Sequence, residues 1–228
     1  MKSGQSRLKS RIAEAHELDG MAQSVRNFYA KWAPEYNEDL ANLEYPALNQ
    51  IVRILQNVPR SDAVRVNTRD RELRLVDVGC GTGFVSLELH RNGYTNIDGL
   101  DLSANMIAEA RKCGVFTTLY SGIDLNMPIE RKEIVRHYDC AVSVGLFTPG
   151  HVTPGALEHM ASLVKPGGIL ILSARVEYCE ATGFARVSEE LERENHVKLL
   201  TVIENAPYTD DGDAHYWIFA IPAGNEVG

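Results

Sequence analysis

From residue 73 onward, short apolar runs alternate with helical periodicities, and this alternation constrains the chain more than any other feature. Residues 73–78, Leu-Arg-Leu-Val-Asp-Val, read as a buried strand that ends in glycines. A helix is expected over 82–91, a strand over 95–100, and a helix over 103–112 with Ser103 as its N-cap. Further strands are expected over 115–120 and 138–144, followed by a helix over 153–164 that carries Pro154 in its first turn. Lys165-Pro166-Gly167-Gly168 reads as a turn before a buried strand over 169–172. After a helix over 184–194, strands over 198–204 and 215–221 flank Thr209-Asp210-Asp211-Gly212, whose turn chemistry makes the last pair antiparallel. Strands alternating with helices predict an α/β, doubly wound, mostly parallel sheet covered on both faces. In such sheets a ligand binds beyond the C-terminal strand ends, where the strand order reverses.

The remainder of the chain bounds the classes of function. Its 228 residues suit an N-terminal helical segment over 1–60 and one compact domain over 61–228. Within that segment the pattern is helical from about 20 to 56 with a break expected at Ala33-Pro34, and Phe28, Trp32 and Tyr36 recur at i, i+4, i+8. The first residues, rich in Lys and Arg and without an apolar core, read as a frayed terminus and argue against secretion. No apolar run approaches the roughly 18–20 residues of a membrane span. A net charge of −8 argues against nucleic acid as a partner, since phosphate backbones require a basic face. Cys80, Cys113, Cys140 and Cys179 are widely spaced, with no metal-knuckle pattern; they read as free thiols in a reducing, cytoplasmic setting, and no metal is expected.

Chemistry enters with Val76-Asp77-Val78-Gly79-Cys80-Gly81-Thr82-Gly83, which follows the first strand and opens the first helix. Glycines accept positive φ and let a ligand approach the backbone, and the helix's N-terminal amides favour a carboxylate. A dinucleotide fingerprint would need glycine three residues after Gly81, where Phe84 stands. Asp77, two residues before Gly79, is unsuited to a pyrophosphate and suited to an ammonium or sulfonium group. Asp101 follows Gly81 by 20 residues at the end of the second strand, where a carboxylate can accept both ribose hydroxyls. An adenosine with a zwitterionic amino-acid tail, S-adenosyl-L-methionine, meets all three conditions.

The segments LVDVGCGTGFVSLEL, GLDLSANMIAEAR, YDCAVSVG and LVKPGGILIL resemble class I S-adenosylmethionine-dependent methyltransferases over roughly residues 25–222. FYAKWAPEYNEDLANLEYP, ahead of the fold, is similar to the Williams–Beuren-region methyltransferase-like proteins. The resemblance implies a Rossmann-like, seven-stranded sheet ordered 3-2-1-4-5-7-6 with the last strand antiparallel. It also implies methyl transfer by in-line displacement to a small molecule or protein side chain, leaving S-adenosyl-L-homocysteine.

On this basis Gly79, Cys80, Gly81 and Gly83 form the loop at the methionyl part, Asp77 holds its amino group directly or through water, and Asp101 takes the ribose. Leu102 and Met106 flank the adenine. Relatives place an acid directly after the glycine that ends the third strand; here Ile123 holds that place and Asp124 follows, so both are candidates at the adenine edge. Val144, Gly145 and Leu146 line the methionine end. The resemblance further makes the N-terminal helices a lid, with Tyr29, Trp32 and Tyr36 as candidates to cover the cofactor.

His151 is the one candidate general base, or otherwise a polar cap. Asn205-Ala206-Pro207-Tyr208 resembles the NPPY box of nitrogen methylases but lies some 60 residues too late, so it reads as a strand-ending turn. Two other functions compete: a catalytically silent cofactor-binding or scaffold protein, and an NAD-dependent dehydrogenase, against which the glycine spacing and Asp77 weigh.

Overall fold

The computed structural model describes residues 2–223 except Asn42 and Asp211, with side chains from Arg7 onward. Seven strands lie in one sheet ordered β3-β2-β1-β4-β5-β7-β6: β1 (Leu75–Val78), β2 (Ile97–Asp101), β3 (Thr118–Ser121), β4 (Tyr138–Phe147), β5 (Val164–Arg175), β6 (Lys198–Thr209) and β7 (Gly212–Ala220). The first five are parallel, and β7 runs antiparallel to both β5 and β6. The expected order and the antiparallel last strand are both present. Asp211, within the expected hairpin turn, lies outside the described residues.

The strands are short and apolar because both faces are covered. β1 is buried throughout, with Val76 and Val78 packing to one side and Leu75 to the other. One layer holds α3 (Pro46–Gln56) and α4 (Phe84–Arg91), which bring Ile51, Leu55 and Leu89 into the core. The opposite layer holds α6 (Ala156–Ala161), α7 (Val176–Thr182) and α8 (Phe184–Arg193), with Leu157, Tyr178 and Phe184. α5 (Ala104–Ala110) follows β2, and its first turn is capped by Ser103, whose hydroxyl accepts from the Met106 N–H at 3.3 Å. β1 and β4 are neighbours at the centre, so the strand order reverses between them and their C-terminal ends open onto a crevice.

The N-terminal segment departs from expectation in two ways. The first residues form α1 (Lys2–His16) instead of fraying. Leu8 and Ala15, seven apart on one face, are buried; Arg7 pairs with Asp39, and His16 Nε2 meets Thr148 Oγ1 at 3.1 Å. Tertiary partners supply what the polar sequence lacks. α2 (Ala22–Leu40) runs through Pro34 without the expected break. Its anchors lie on either side of the proline: Trp32 is buried and its indole N–H donates to Asp39 Oδ2 at 2.8 Å. The chain turns after Ala41 and restarts with Pro46 at the first turn of α3. α3 thus belongs to the sheet layer, whereas α1 and α2 form a separate apolar cluster around Leu8, Trp32 and Leu40.

Two expected turns are absorbed into strands. Lys165-Pro166-Gly167-Gly168 lies within β5, where the register against β4 jumps between Tyr138↔Val164 and Cys140↔Ile169. β6 continues through Asn205-Ala206-Pro207-Tyr208, with a register shift and a φ of +47° at Asn205. Such bulges take up an extra residue and re-aim the side chains after it. α7, which lies ahead of the expected 184–194 helix, was not foreseen. Among the described residues no helix is long and apolar enough to cross a membrane. All four cysteines are free, and no cluster of His, Cys, Asp or Glu among the described residues is arranged to hold a metal.

Candidate active site

The loop after β1 is pinned to β2: the N–H groups of Gly79 and Cys80 both donate to Leu100 O, at 2.8 and 2.9 Å. The three alternate glycines do different work. Gly81, at φ +54°, has open space where a Cβ would stand, so its backbone faces a cavity. Gly79, at φ +71°, would press a Cβ to 3.2 Å from Leu146 Cδ1. Gly83, at φ +98°, would meet Phe116 at 2.9 Å and Cys113 at 3.1 Å, so it is a packing glycine turned away from the ligand side.

Asp101 at the end of β2 is braced by two backbone donors: Gly81 N–H to Oδ2 at 2.9 Å and Ser103 N–H to Oδ1 at 2.7 Å. These bonds aim the carboxylate, yet burial still raises its pKa to about 6. Asp77 is 1% exposed, accepts from Ser86 Oγ at 2.7 Å, and is raised by burial to about 7. Among the described residues no Lys or Arg forms an ion pair with either carboxylate.

A cavity of about 470 Å³ lies over the C-terminal ends of the central strands, roofed by α1 and α2. Thirteen of the sixteen expected cofactor residues line it: Gly79 and Gly81 from the loop, Asp101, Leu102 and Met106 after β2, Ile123 and Asp124 after β3, Val144, Gly145 and Leu146 at the end of β4, and Tyr29, Trp32 and Tyr36 on α2. Three do not. Asp77 is engaged with Ser86 behind the loop, Gly83 faces Phe116, and Cys80 is buried with its Sγ toward Gly81 O at 3.8 Å. Asp77 therefore stands behind the cavity wall, bonded to Ser86, where of the two expected modes the water-mediated one is the more accessible. Asp124 also braces its own loop, accepting from the Asn126 N–H at 2.9 Å.

The aromatic residues of α2 form one array, in which Tyr29 lies 6.0 Å from Trp32 and Trp32 4.7 Å from Tyr36 between ring centroids. His151 also lines the cavity but is 7% exposed. Its Nδ1 lies 2.8 Å from Pro149 O, which can only accept, so Nδ1 carries the hydrogen. Nε2 therefore accepts from the Tyr29 hydroxyl at 2.6 Å. Burial pushes the imidazole down to about 4, so it is neutral and already engaged, closer to a brace for α2 than to a poised base.

Several wall residues were not foreseen. Arg175 ends β5, Glu177 lies in the first turn of α7, Tyr45 precedes α3, Tyr208 follows the β6 bulge, and Lys9, Ile12 and His16 come from α1. Arg175 was reachable by the rule that ligands sit at C-terminal strand ends. Tyr208 was hidden by reading its tetrapeptide as a turn, and the α1 residues by treating the terminus as frayed.

Residues 36–219 match a family model described as a methyltransferase domain. Human methyltransferase-like protein 27 is 29% identical over 172 residues, covering 74% of this chain and 64% of that protein. Malonyl-[acyl-carrier protein] O-methyltransferase 2 of Ilyobacter polytropus is 30% identical over 117 residues, 50% of this chain and 44% of that protein. The chain therefore spans less than two thirds of the curated relatives it matches. Among solved structures, the magnesium protoporphyrin IX methyltransferase of Synechocystis with bound S-adenosylhomocysteine superimposes with a TM-score of 0.60 at 15% identity, covering 89% of this chain and 99% of that one. A [4+2]-cyclase superimposes with a TM-score of 0.62 at 17% identity, covering 91% and 98%.

Proposed function

The chain belongs to the methyltransferase-domain family, and we propose from that premise that it is an S-adenosylmethionine-dependent methyltransferase acting on a small molecule. The observation that carries the proposal is Asp101, a carboxylate fixed by two backbone N–H groups at the end of β2 and presented to the cavity. That is the arrangement needed to accept two vicinal hydroxyls.

The residues present fit the cofactor. Gly81 offers bare backbone to the amino-acid tail, and among the described residues neither the cavity acid Asp101 nor the buried Asp77 pairs with Lys or Arg, so a ligand bearing ammonium and sulfonium groups supplies the missing positive charge. Leu102 and Met106 offer apolar walls to the adenine. Asp77 acts at one remove, through the loop it braces. When bound, the cofactor supplies a methyl group on an electrophilic sulfonium, so the protein's task is orientation and exclusion of water. Tyr29, Trp32 and Tyr36 on α2, with α1 outside them, close the cavity from above. The enclosure supports a small acceptor over a protein side chain.

Calorimetric titration with S-adenosylmethionine, S-adenosylhomocysteine and NAD tests the reading. The two adenosyl compounds are expected to bind and NAD is not. Binding of NAD alone would reject it. Transfer of tritiated methyl to an acceptor separates an active enzyme from a silent cofactor-binding protein.

A further inference from the structure

We propose that Arg175, Tyr208 and Tyr45 form an acceptor subsite that takes a small carboxylic acid through its carboxylate; this rests on the methyltransferase reading above. The cavity wall carries the acids Asp101 and Asp124 after β2 and β3, and at the end of β5 the cation Arg175, which is paired with Glu177 and lies near enough to His16 to lower its pKa. The Arg175 side chain is 11% exposed and ends β5 at the cavity wall. Its Nε donates to Glu177 Oε1 at 3.0 Å, its Nη1 to Thr209 Oγ1 at 3.4 Å, and its guanidinium lies 5.1 Å from the Tyr208 ring centre. Those bonds use two of the five N–H donors of a guanidinium, and Nη2 lies against Gly212, 2.9 Å from where a Cβ would stand. The Glu177 carboxylate is 47% exposed, so solvent screens it and it offsets the partly buried cation only weakly.

Two hydroxyls converge beside this cation. Tyr45 Oη and Tyr208 Oη are 2.8 Å apart, and both reach the space over Gly145, where a Cβ would stand 3.0 Å from Tyr208 Oη and 3.5 Å from Tyr45 Oη. One hydroxyl donates to the other, which leaves a second O–H proton for a third oxygen. Gly145 is on the cavity wall at the end of β4, beside the loop that would hold the amino-acid tail. Ile12, Ala13, Leu40 and Leu43 line the roof and suit an apolar body attached to the carboxylate.

The titratable groups facing the cavity favour an acceptor that arrives deprotonated. Burial raises Tyr29, Tyr36, Tyr45 and Tyr208, so the phenols stay protonated. His151 is engaged with Tyr29, and His16 is lowered by burial and by Arg175. Glu177 pairs with Arg175, and Asp101 is assigned to the ribose. A carboxylate needs none of them as a base. Transfer to it forms an oxygen–methyl bond and breaks the methyl–sulfur bond, whose electron pair stays on sulfur. The two opposite charges cancel and no proton moves.

The test uses the full chain saturated with S-adenosylhomocysteine and titrated with octanoate, methyl octanoate and octan-1-ol. Octanoate is expected to bind roughly tenfold or more tighter than the ester, the ratio a charge-assisted bond supplies. Arg175→Gln is expected to bring acid and ester to about the same affinity, and Arg175→Lys to restore part of the preference, while S-adenosylhomocysteine affinity holds in both. With tritiated S-adenosylmethionine, label on octanoate should be released by alkali as volatile methanol. Equal affinity of acid and ester, absence of binding by both, an acid preference that survives Arg175→Gln, or alkali-stable label would each overturn the subsite. Failure to bind S-adenosylhomocysteine overturns the methyltransferase reading and the subsite with it, and the first titration shows which has failed.

Discussion

The two ends of the cavity are built on different principles. The loop end comes from neighbours in sequence: Gly79 and Gly81 follow β1, Asp101 ends the next strand, and Gly81 N–H donates directly to that carboxylate. The other end gathers Arg175, Tyr208, Tyr45 and His16 from β5, β6, the residue before α3 and α1. One end is a local motif on a rigid sheet. The other depends on a helical cover packed through Trp32, Leu40 and Leu8. In the proposed reading the first end holds the cofactor and the second selects the acceptor, since fold alone does not fix function.

The sharpest way to separate the two ends is Trp32→Ala. Truncating this buried side chain removes its packing and its bond to Asp39, and is expected to cost about 3–5 kcal/mol, concentrated in the cover. Hydrogen exchange should lose protection in α1 and α2 while β1 and β4 keep theirs. Equal loss across the sheet would show that cover and sheet are one cooperative unit.

At the loop end, the buried acids give a pH signature. Asp77 and Asp101 rise from an ordinary 3.8 to about 7 and about 6, both chiefly through burial. Between pH 4 and 7 the folded protein therefore holds protons that the unfolded chain has released, and stability without ligand falls as pH rises through that window. Asp77→Asn should remove the upper part of the fall and stabilise the protein at pH 8 by on the order of 2–4 kcal/mol. Thermal melts at pH 5 and pH 8 that shift identically in wild type and variant would refute this.

Asp101→Ala should weaken S-adenosylmethionine binding by about 1–3 kcal/mol, with the fold intact. The same binding should strengthen as pH rises through about 6 and Asp101 ionises. An unchanged dissociation constant in the folded variant would remove Asp101 from the ribose. The smallest effect belongs to Tyr29→Phe, which deletes the 2.6 Å bond to His151 and should cost about 0.5–1.5 kcal/mol. If a strongly pH-dependent collapse of methyl transfer followed instead, His151 and Tyr29 would be part of the chemistry.

By itself the sequence determined the doubly wound α/β class through its alternation, the loop through its glycines, and the place of Asp101 at the end of the second strand, 20 residues after Gly81; the strand order entered only with the family resemblance. These are local or periodic signals, written in residues a few positions apart. It also placed Phe28, Trp32 and Tyr36 near one face, although Pro34 argued for a break that tertiary packing overrode. Gly83 shows the limit of a motif: its place in the pattern is the same as that of Gly81, but its missing Cβ makes room for Phe116 and Cys113. Only the tertiary structure decided that the polar first helix is ordered, because its partners Asp39 and Thr148 lie far along the chain. Only the tertiary structure set Tyr208 beside Gly145 and Arg175, because the three lie on β6, β4 and β5 and meet only in the folded sheet. Local chemistry is legible in order along the chain, whereas a surface assembled across 163 residues, as between Tyr45 and Tyr208, exists only once the sheet has brought its ends together.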